Sequence, residues 1–222
     1  MSGLLSHWMQ GLPVPTEPLT GGLAAGAPTT LRGRAVDATL ACIARHGLAK
    51  LTVDDVAREA GCGRASLYRE FGSKRALVAA VVASEAARVG AAVRDAVAGV
   101  PTLEDAVVAL LTTIGVETDA HEALQFVAAF EPGLLVPHLT FGGADRFLAW
   151  AASEFAPCFE RFVGARDASS TAEWVARVAL VLWCSPTAST SPVALADPAS
   201  VRPFVRQFVL PGIEPGSSVR SN

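Results

Sequence analysis

A short stretch of the chain carries two guanidinium groups, a methyl, a hydroxyl and a phenol at helical spacing: Arg64, Ala65, Ser66, Tyr68 and Arg69. An arginine can donate two hydrogen bonds to O6 and N7 of guanine, a serine can donate or accept, and an alanine can touch the methyl group of thymine. Leu67 and Phe71 are four residues apart, so on a helix they share one face and leave the five side chains exposed. The stretch therefore predicts a short helix that presents this face to the edges of DNA bases. A solvated surface charge is the alternative for Arg64.

Local signals on both sides of this stretch predict the elements that position it. Thr52 is a helix N-cap with Asp55 three residues later, as in a capping box, and apolar residues follow at helical spacing until Gly61. A second helix, from about residue 64 to 71, is stopped by Gly72. Two short helices joined by a tight turn are typical of a helix-turn-helix, which places its second helix in the DNA major groove.

The run from Thr52 to Leu77 resembles the DNA-binding domain of TetR-type transcriptional regulators. It contains, in order, the family patterns T-x-x-x-(I/V)-A-x-x-A-G, L-Y-x-x-F and S-K-x-x-L, which read here as TVDDVAREAG, LYREF and SKRAL. The resemblance extends back through Arg32–Gly47 and implies that Tyr68 and Lys74 bind the DNA backbone. Gly63 stands where the family commonly has a Ser or Thr cap, so a hydroxyl contact to phosphate is not expected at that position.

Other side chains are expected to bind phosphate without reading sequence. Lys74 begins a helix, where free N–H groups and the helix dipole already attract an anion. Thr52 begins the second helix in the same way, although its hydroxyl can be fully used as a cap. Arg32 and Arg34 precede or begin the first helix, and we expect them to reach phosphate or an adjacent minor groove.

Composition and charge fit a helical protein that meets DNA at one end. Hydrophobic residues make up 51% of the 222 residues and charged residues 18%, and Ala-rich segments favour an all-α fold. The net charge is −3, but nine basic against five acidic side chains give residues 31–75 a local charge of +4, which leaves −7 for the remainder. The four cysteines form no C-x-x-C pair, and Cys42, Cys158 and Cys184 fit small buried hydrophobes. No apolar run approaches the ~20 residues of a membrane span, so we expect a cytoplasmic protein with no membrane partner.

The predicted organisation comprises a flexible N-terminal arm (1–30), a helix-turn-helix domain (31–76), a helical effector-binding and dimerisation domain (77–212) and a flexible tail (213–222). About nine helices are expected from the periodicity and the caps. Asp119 and Glu122 resemble a capping box leading into a helix at 124–130, and Glu131-Pro132-Gly133 predicts a stop before a proline-interrupted region. A strongly apolar helix is expected over Thr171–Cys184. Asp197 and Pro198 begin the last helix.

Aromatic side chains are concentrated in the proline-interrupted region: Phe126, Phe130, Phe141, Phe147, Trp150 and Phe155. The family resemblance implies a small-molecule pocket there, coupled to the DNA-binding domain through the helix that begins at Lys74. An apolar, aromatic lining suits a hydrophobic ligand, whereas core packing is the alternative for each aromatic residue alone.

The family also dimerises through its last two long helices, here Thr171–Cys184 and 198–209. A monomer with one short reading helix offers too small an interface, and two-fold dimers read half-sites about 34–36 Å apart. The apolar candidates for the interface are Trp174, Val178, Val181, Phe204, Val205 and Phe208, with core packing within one subunit as the alternative for any one of them.

The leading hypothesis is therefore a homodimeric repressor that a hydrophobic small molecule releases from double-stranded operator DNA. The alternatives are a ligand-independent DNA-binding protein and a helical-bundle enzyme. Glu117 and His121 lie four residues apart and could form half of a metal site, but no Glu-x-x-His motif accompanies them. No phosphate-binding loop, dinucleotide-binding pattern or nucleophile elbow occurs either. We expect no catalytic residue, metal or cofactor.

Overall fold

The computed structural model describes residues 30–185 and 193–213. The described residues form ten α-helices and no strand, which confirms the all-α prediction. The first five are α1 Leu31–His46, α2 Val53–Glu59, α3 Arg64–Phe71, α4 Lys74–Val97 and α5 Leu103–Asp119. The others are α6 Glu122–Phe130, α7 Pro132–Leu139, α8 Phe141–Val163, α9 Ala165–Cys184 and α10 Pro198–Phe204. A π turn at Val205–Val209 and a short 3₁₀ turn at Leu210–Gly212 continue α10.

The helix boundaries in the N-terminal part follow the local signals. Thr30 caps α1 by accepting a hydrogen bond from Gly33 N–H at 3.1 Å, and α1 ends at Gly47, whose φ is 84°. Thr52 caps α2 by accepting from Asp55 N–H at 3.1 Å. No side chain caps α3, because Gly63 occupies the N-cap position. The predicted bounds of α3 are confirmed, since the helix ends before Gly72, whose φ is 77°.

The chain divides into two compact units. The first contains residues up to 88 together with 120–147, and the second contains 89–119 and 148 onward. The predicted boundary after residue 76, between the DNA-binding and the effector-binding domain, is defined by function rather than by compactness and stays a prediction. The predicted arm and tail lie outside the described residues, apart from Thr30 and Ile213.

One hydrophobic core joins the helices of the first unit. Val56 of α2 is fully buried and Leu67 of α3 is 2% exposed. The face of α1 that packs here includes several small residues: Ala35, Ala38 and Cys42. Ala123 and Val127 of α6 belong to the same core. The helix-turn-helix core is therefore completed by a segment distant in sequence.

Helices α5, α9 and α10 and the π turn after α10 supply much of the core of the second unit, with Val107, Leu111, Val175, Val201 and Val205 fully buried. Charged side chains tie α10 to the start of α5. Arg202 contacts Glu104 at 2.7 Å and Asp105 at 2.8 Å, and Arg206 contacts Glu104 at 2.7 Å. The pKa of Glu104 is lowered by its hydrogen bonds from Arg206 and Arg202. The pKa of Asp105 is lowered by hydrogen bonds from Thr102 and then Arg202.

A second ion pair of this unit is buried. The carboxylate of Glu154 on α8 is 1% exposed and pairs with Arg94 of α4. Gly90 makes room for it, since a Cβ there would lie 2.6 Å from the Glu154 carboxylate. Burying a carboxylate is costly unless it is paired, so loss of Arg94 would leave the Glu154 side chain buried without its ionic partner.

The structure corrects two expectations around α6 and α7. The N-cap of α6 is His121, whose Nδ1 accepts from Leu124 N–H at 3.1 Å, whereas Asp119 is the last residue of α5. The segment after Glu131 is helical rather than interrupted, with Pro132 in the first turn of α7. Proline is compatible with that position because the N–H it lacks has no partner inside a helix.

Helix α8 continues through Pro157 to Val163. Two further expectations need adjustment. Helix α9 begins at Ala165, ahead of the expected Thr171. Cys184 is exposed because it is the last residue of α9, whereas Cys42 and Cys158 are buried as predicted.

Helix α4 meets the length and hydropathy that a membrane-spanning helix requires, and it is the one helix among the described residues that does so. Length and composition are the whole of this likeness, because core helices of soluble proteins pass the same test. Its sequence includes Glu85 and Arg88, whose side chains pair at 2.8 Å.

Candidate nucleic-acid interface

Helix α3 exposes the face that its spacing predicts. Leu67 is buried in the core of the first unit and Phe71 packs partly against it. The remaining side chains project outward: Arg64, Ala65, Tyr68 and Arg69 are exposed and Ser66 is half-buried. Eight residues rise about 12 Å along a helix, which matches the width of the major groove. The geometry allows α3 to enter that groove with these side chains directed at base edges, and their individual roles stay predictions.

Arg64 is held by two side chains in the structure. Its Nη1 lies 3.2 Å and 2.9 Å from the two carboxylate oxygens of Asp54, in the first turn of α2. Its guanidinium carbon lies 5.4 Å from the centre of the Tyr68 ring, within the range of a cation–π contact. The hydrogen bond with Tyr68 and the charge of Asp54 raise the pKa of Arg64. The predicted base-reading side chain is thus oriented by its neighbours.

The hydroxyl of Thr52 is fully used within the protein. It accepts the hydrogen bond of Asp55 N–H and donates to the Asp55 carboxylate. This donated bond is the main cause of the lowered pKa of Asp55. A phosphate contact from the Thr52 hydroxyl would therefore replace an existing hydrogen bond. The sequence left open whether the cap uses this hydroxyl fully.

The remaining basic candidates differ in how they are placed. Lys74 is the first residue of α4 and is half-buried, and burial lowers its pKa while the charge of Glu131 opposes that shift. Arg32 pairs with Glu70 at 3.4 Å and lies 5.3 Å from the centre of the Phe71 ring. The Nε of Arg34 donates to the carbonyl of Ala60 at 3.4 Å. Arg32 therefore contacts α3 and Arg34 the residue that caps the end of α2, so a reach to phosphate requires both to change partners.

Two acidic residues of the first unit were missed by the sequence. Asp54 is ten residues from Arg64, a spacing that no helical periodicity predicts. Glu131 accepts hydrogen bonds from the backbone N–H of Leu48 at 2.7 Å and of Ala49 at 3.2 Å. It thereby connects the α6–α7 junction with the turn between α1 and α2. No sequence signal points to a contact across 83 residues.

The six aromatic candidates for a ligand site do not all belong to one unit. Phe126 and Phe130 lie in the first, with ring centres 4.9 Å apart, and Phe130 is 73% exposed. Phe147 is half-buried there, and the side chain of Phe141 lies outside what the structure describes. Trp150 and Phe155 are buried in the second unit in an edge-to-face contact at 5.9 Å. Core packing accounts for this last pair. Among the described residues, no three His, Cys, Asp or Glu side chains are grouped as a metal site requires.

The dimer candidates separate into buried and exposed side chains. Val178 and Val205 lie in the core of the second unit, where they are not available to a partner surface. The exposed members are Val181 at 62%, Phe208 at 57% and Trp174 at 38%, and Phe204 is partly buried beside Phe208 with ring centres 5.4 Å apart. The indole N–H of Trp174 donates to the carbonyl of Val209 at 3.2 Å. This bond connects α9 with the turn that follows α10.

Comparison with known proteins agrees with this geometry. The model of the bacterial regulatory proteins of the tetR family matches residues 35–81, which include α1 to α3 almost entirely. Uncharacterized HTH-type transcriptional regulators from two Mycobacterium tuberculosis strains, CDC 1551 and H37Rv, are each 26% identical over 189 residues. The alignment covers 83% of this chain and 86% of theirs.

Two crystal structures share the fold. The TetR family repressor AlkX from Dietzia sp. strain DQ12-45-1b has a TM-score of 0.59 and 21% identity over 83% of this chain and 100% of that chain. The multidrug binding protein EbrR, complexed with imidazole, has a TM-score of 0.51 and 16% identity over 87% of this chain and 100% of its own. Proteins of the matched family are regulators rather than enzymes. Residues 35–81 therefore match a TetR-type helix-turn-helix domain, and the chain is similar to HTH-type transcriptional regulators along most of its length.

Proposed function

We propose that this regulator is a cytoplasmic homodimeric repressor that reads double-stranded operator DNA with α3 and leaves it when a hydrophobic small molecule binds. The observation that carries the proposal is the outer face of α3, which presents Arg64, Ser66, Tyr68 and Arg69. The opposite face of the helix packs into the core through the buried Leu67. In this proposal Arg64 and Ser66 contact bases, Ala65 touches a thymine methyl, and Tyr68 binds the backbone.

Phosphate contacts complete the DNA part of the proposal. Lys74 lies at the N-terminus of α4, where a phosphate would also meet the positive end of the helix dipole. Arg69, exposed on α3, adds a further positive charge, and Arg32 and Arg34 would exchange their present partners for phosphate. These contacts fix the orientation of α3 and bind all sequences alike.

Exposed apolar side chains support the homodimer. Trp174, Val181 and Phe208 place large apolar groups on the surface of the last helices, although isolated exposed hydrophobic residues are normal in a monomer. A two-fold pairing through this surface would bury them and present two copies of α3 to half-sites one helical turn apart.

The proposed effector follows from composition and from the related proteins. AlkX is implicated in the biodegradation of n-alkanes, which are apolar, and EbrR is a multidrug binding protein. The aromatic residues Phe126, Phe130 and Phe147 are the candidates for contact with such a ligand here. The alternative is a DNA-binding protein that responds to no ligand, and the experiments must distinguish it from a ligand-released repressor.

An electrophoretic mobility shift on the DNA flanking the gene tests the DNA part, with binding repeated at two salt concentrations. We expect a discrete complex that weakens steeply with salt, because counterions are released on binding. A folded dimer that shows no salt-sensitive binding to any promoter fragment would refute the regulator proposed here.

Native mass spectrometry of the purified protein tests the effector part. A co-purifying apolar compound whose addition dissociates the DNA complex supports ligand release. A protein that purifies without a ligand, and that no apolar compound displaces from DNA, supports the ligand-independent DNA-binding protein.

A further inference from the structure

The pairing of Arg64 with Asp54 raises a question that the proposed function leaves open. Both side chains are more than half exposed, at 58% and 57%, and their contact joins the first turn of α2 to the first residue of α3. A carboxylate at this position lies directly beside the side chain that is proposed to read DNA. DNA phosphates would repel it, so its presence needs a reason beyond phosphate binding.

A purely structural role for Asp54 is the simplest explanation to compare. An acidic residue in the first turn of a helix is favoured by the helix dipole. Asp55 occupies the same turn and already closes the cap with Thr52. The carboxylate of Asp54 is instead directed to Arg64, with both of its oxygens within 3.2 Å of Nη1.

We propose that Asp54 is a specificity-determining positioning residue: it holds and neutralises the Arg64 guanidinium so that this group gains little from random phosphate contacts. A guanidinium has five N–H donors, and the contact with Asp54 uses one of its nitrogens. A guanine edge offers two acceptors in the geometry of the guanidinium, whereas a lone phosphate offers charge that Asp54 already supplies. Random DNA therefore has to displace Asp54, and the cognate base pair gains a pre-oriented donor. The inference rests on the proposed function, because it assigns Arg64 to base reading.

The size of the effect follows from two general quantities. An exposed ion pair is worth up to about fivefold in an equilibrium constant. Each phosphate neutralised by a protein cation adds about 0.9 to the slope of log affinity against log salt. Releasing Arg64 should therefore strengthen random binding about fivefold and steepen its salt slope by about 0.9.

Asp54→Asn tests the inference on two duplexes: one selected by the wild-type protein from a random-sequence library, and a scrambled duplex of equal length. We expect the variant to bind the scrambled duplex about fivefold tighter with a steeper salt slope, and the selected duplex with a smaller gain. Asp37→Asn is the matched control, because it makes the same charge change on the exposed face of α1. It should leave the ratio of the two affinities unchanged. Asp54→Glu retains the charge and should keep the wild-type ratio.

A double-mutant cycle with Arg64→Ala separates positioning from general repulsion. If Asp54 acts through Arg64, Asp54→Asn changes the affinity ratio in the wild-type background and leaves it unchanged in the Arg64→Ala background. The inference is overturned if Asp54→Asn changes the affinity ratio equally in both backgrounds, or if Asp37→Asn changes it by the same amount. In either case, selective binding by the wild-type protein still supports the proposed function. Failure of the wild-type protein to prefer the selected duplex overturns both. Unfolding curves of all variants exclude a loss of fold as the cause.

Discussion

The contact between Glu131 and the turn after α1 leads to a prediction about coupling that can be quantified. The carboxylate accepts from Leu48 N–H at 2.7 Å, in a residue that is only 7% exposed, and from the exposed Ala49 at 3.2 Å. Glu131→Ala leaves the Leu48 N–H without its acceptor, whereas water can reach Ala49. An orphaned buried donor costs about 1–3 kcal/mol, so we expect a loss of about 2 kcal/mol. For a chain of this size the melting temperature should fall by about 4–8 °C.

A substitution at Gly47 should disturb the same contact. Its φ of 84° and ψ of 163° fall in a region that is essentially restricted to glycine, where another residue costs about 1–3 kcal/mol. A Cβ at this position would also lie 2.5 Å from the Glu131 carboxylate and 2.9 Å from the Phe126 ring. Gly47→Ala should therefore displace Glu131 from its N–H donors as well as strain the backbone. The total loss should be about 4 kcal/mol, the sum of both effects.

The two substitutions together should cost less than their separate losses added. Once Gly47→Ala has displaced the carboxylate, removal of Glu131 has nothing further to break, so the double variant should lose about 4 rather than about 6 kcal/mol. Chemical denaturation of the four proteins measures this coupling of about 2 kcal/mol. Losses that add within about 0.5 kcal/mol, as for distant independent sites, would refute the proposed role of the contact.

Gly61→Ala is the matched control for backbone strain. Its φ is 62°, and an added Cβ meets no atom within 4 Å. This substitution should cost about 1–2 kcal/mol through the left-handed conformation alone. Its effect should add to that of Glu131→Ala without coupling.

Three further predictions concern binding, pH and assembly. Lys74→Ala should weaken binding to all DNA sequences alike, whereas Arg64→Ala should relax preference at particular base pairs; quantitative binding to a set of single-base variants separates the two, and uniform losses from both would contradict the assignment of Arg64. The pKa values of Glu104 and Asp105 lie below their ordinary 4.5 and 3.8, so the stability they contribute is complete above those values and is lost as the pH falls through the lowered ones. Thermal unfolding followed from about pH 6 down to about pH 3 should therefore show a steeper loss for the wild type than for Glu104→Gln, and parallel curves would contradict this. Val181→Asp places a charge on an exposed apolar residue and should shift a dimer toward monomer in analytical ultracentrifugation, and an unchanged dimer would remove Val181 from the interface.

The sequence predicted best what is determined locally. Thr52 and Gly72 mark helix boundaries through a capping hydrogen bond and backbone freedom, and in the structure α2 begins after Thr52 and α3 ends before Gly72. Leu67 was assigned to the buried face from spacing alone and is 2% exposed. Such features depend on a few neighbouring residues, so one sequence is sufficient to recognise them.

What the sequence missed depends on partners far away in the chain. His121 serves as the cap of α6 because its second nitrogen lies 3.3 Å from Glu85, 36 positions earlier. The predicted stop at Glu131 is confirmed, because α6 ends at Phe130, but the sequence missed α7. Leu134 and Leu135 of α7 pack against the core of the first unit and favour a helix there. Val205 was assigned to a surface because it is apolar, and only tertiary packing shows that it is fully buried.

The participation of Ala123 and Val127 in the core around α1 and α2 has a consequence for synthesis on the ribosome. The helix-turn-helix emerges early, yet its apolar face stays uncovered until α6 has been translated, roughly 50 residues later. At about 5–20 residues per second this delay lasts several seconds. A chimera that transplants residues 31–76 alone onto another protein would leave the same face exposed permanently. Exchange of DNA specificity between regulators of this type therefore requires either the α6 segment as well or substitutions confined to the outer face of α3.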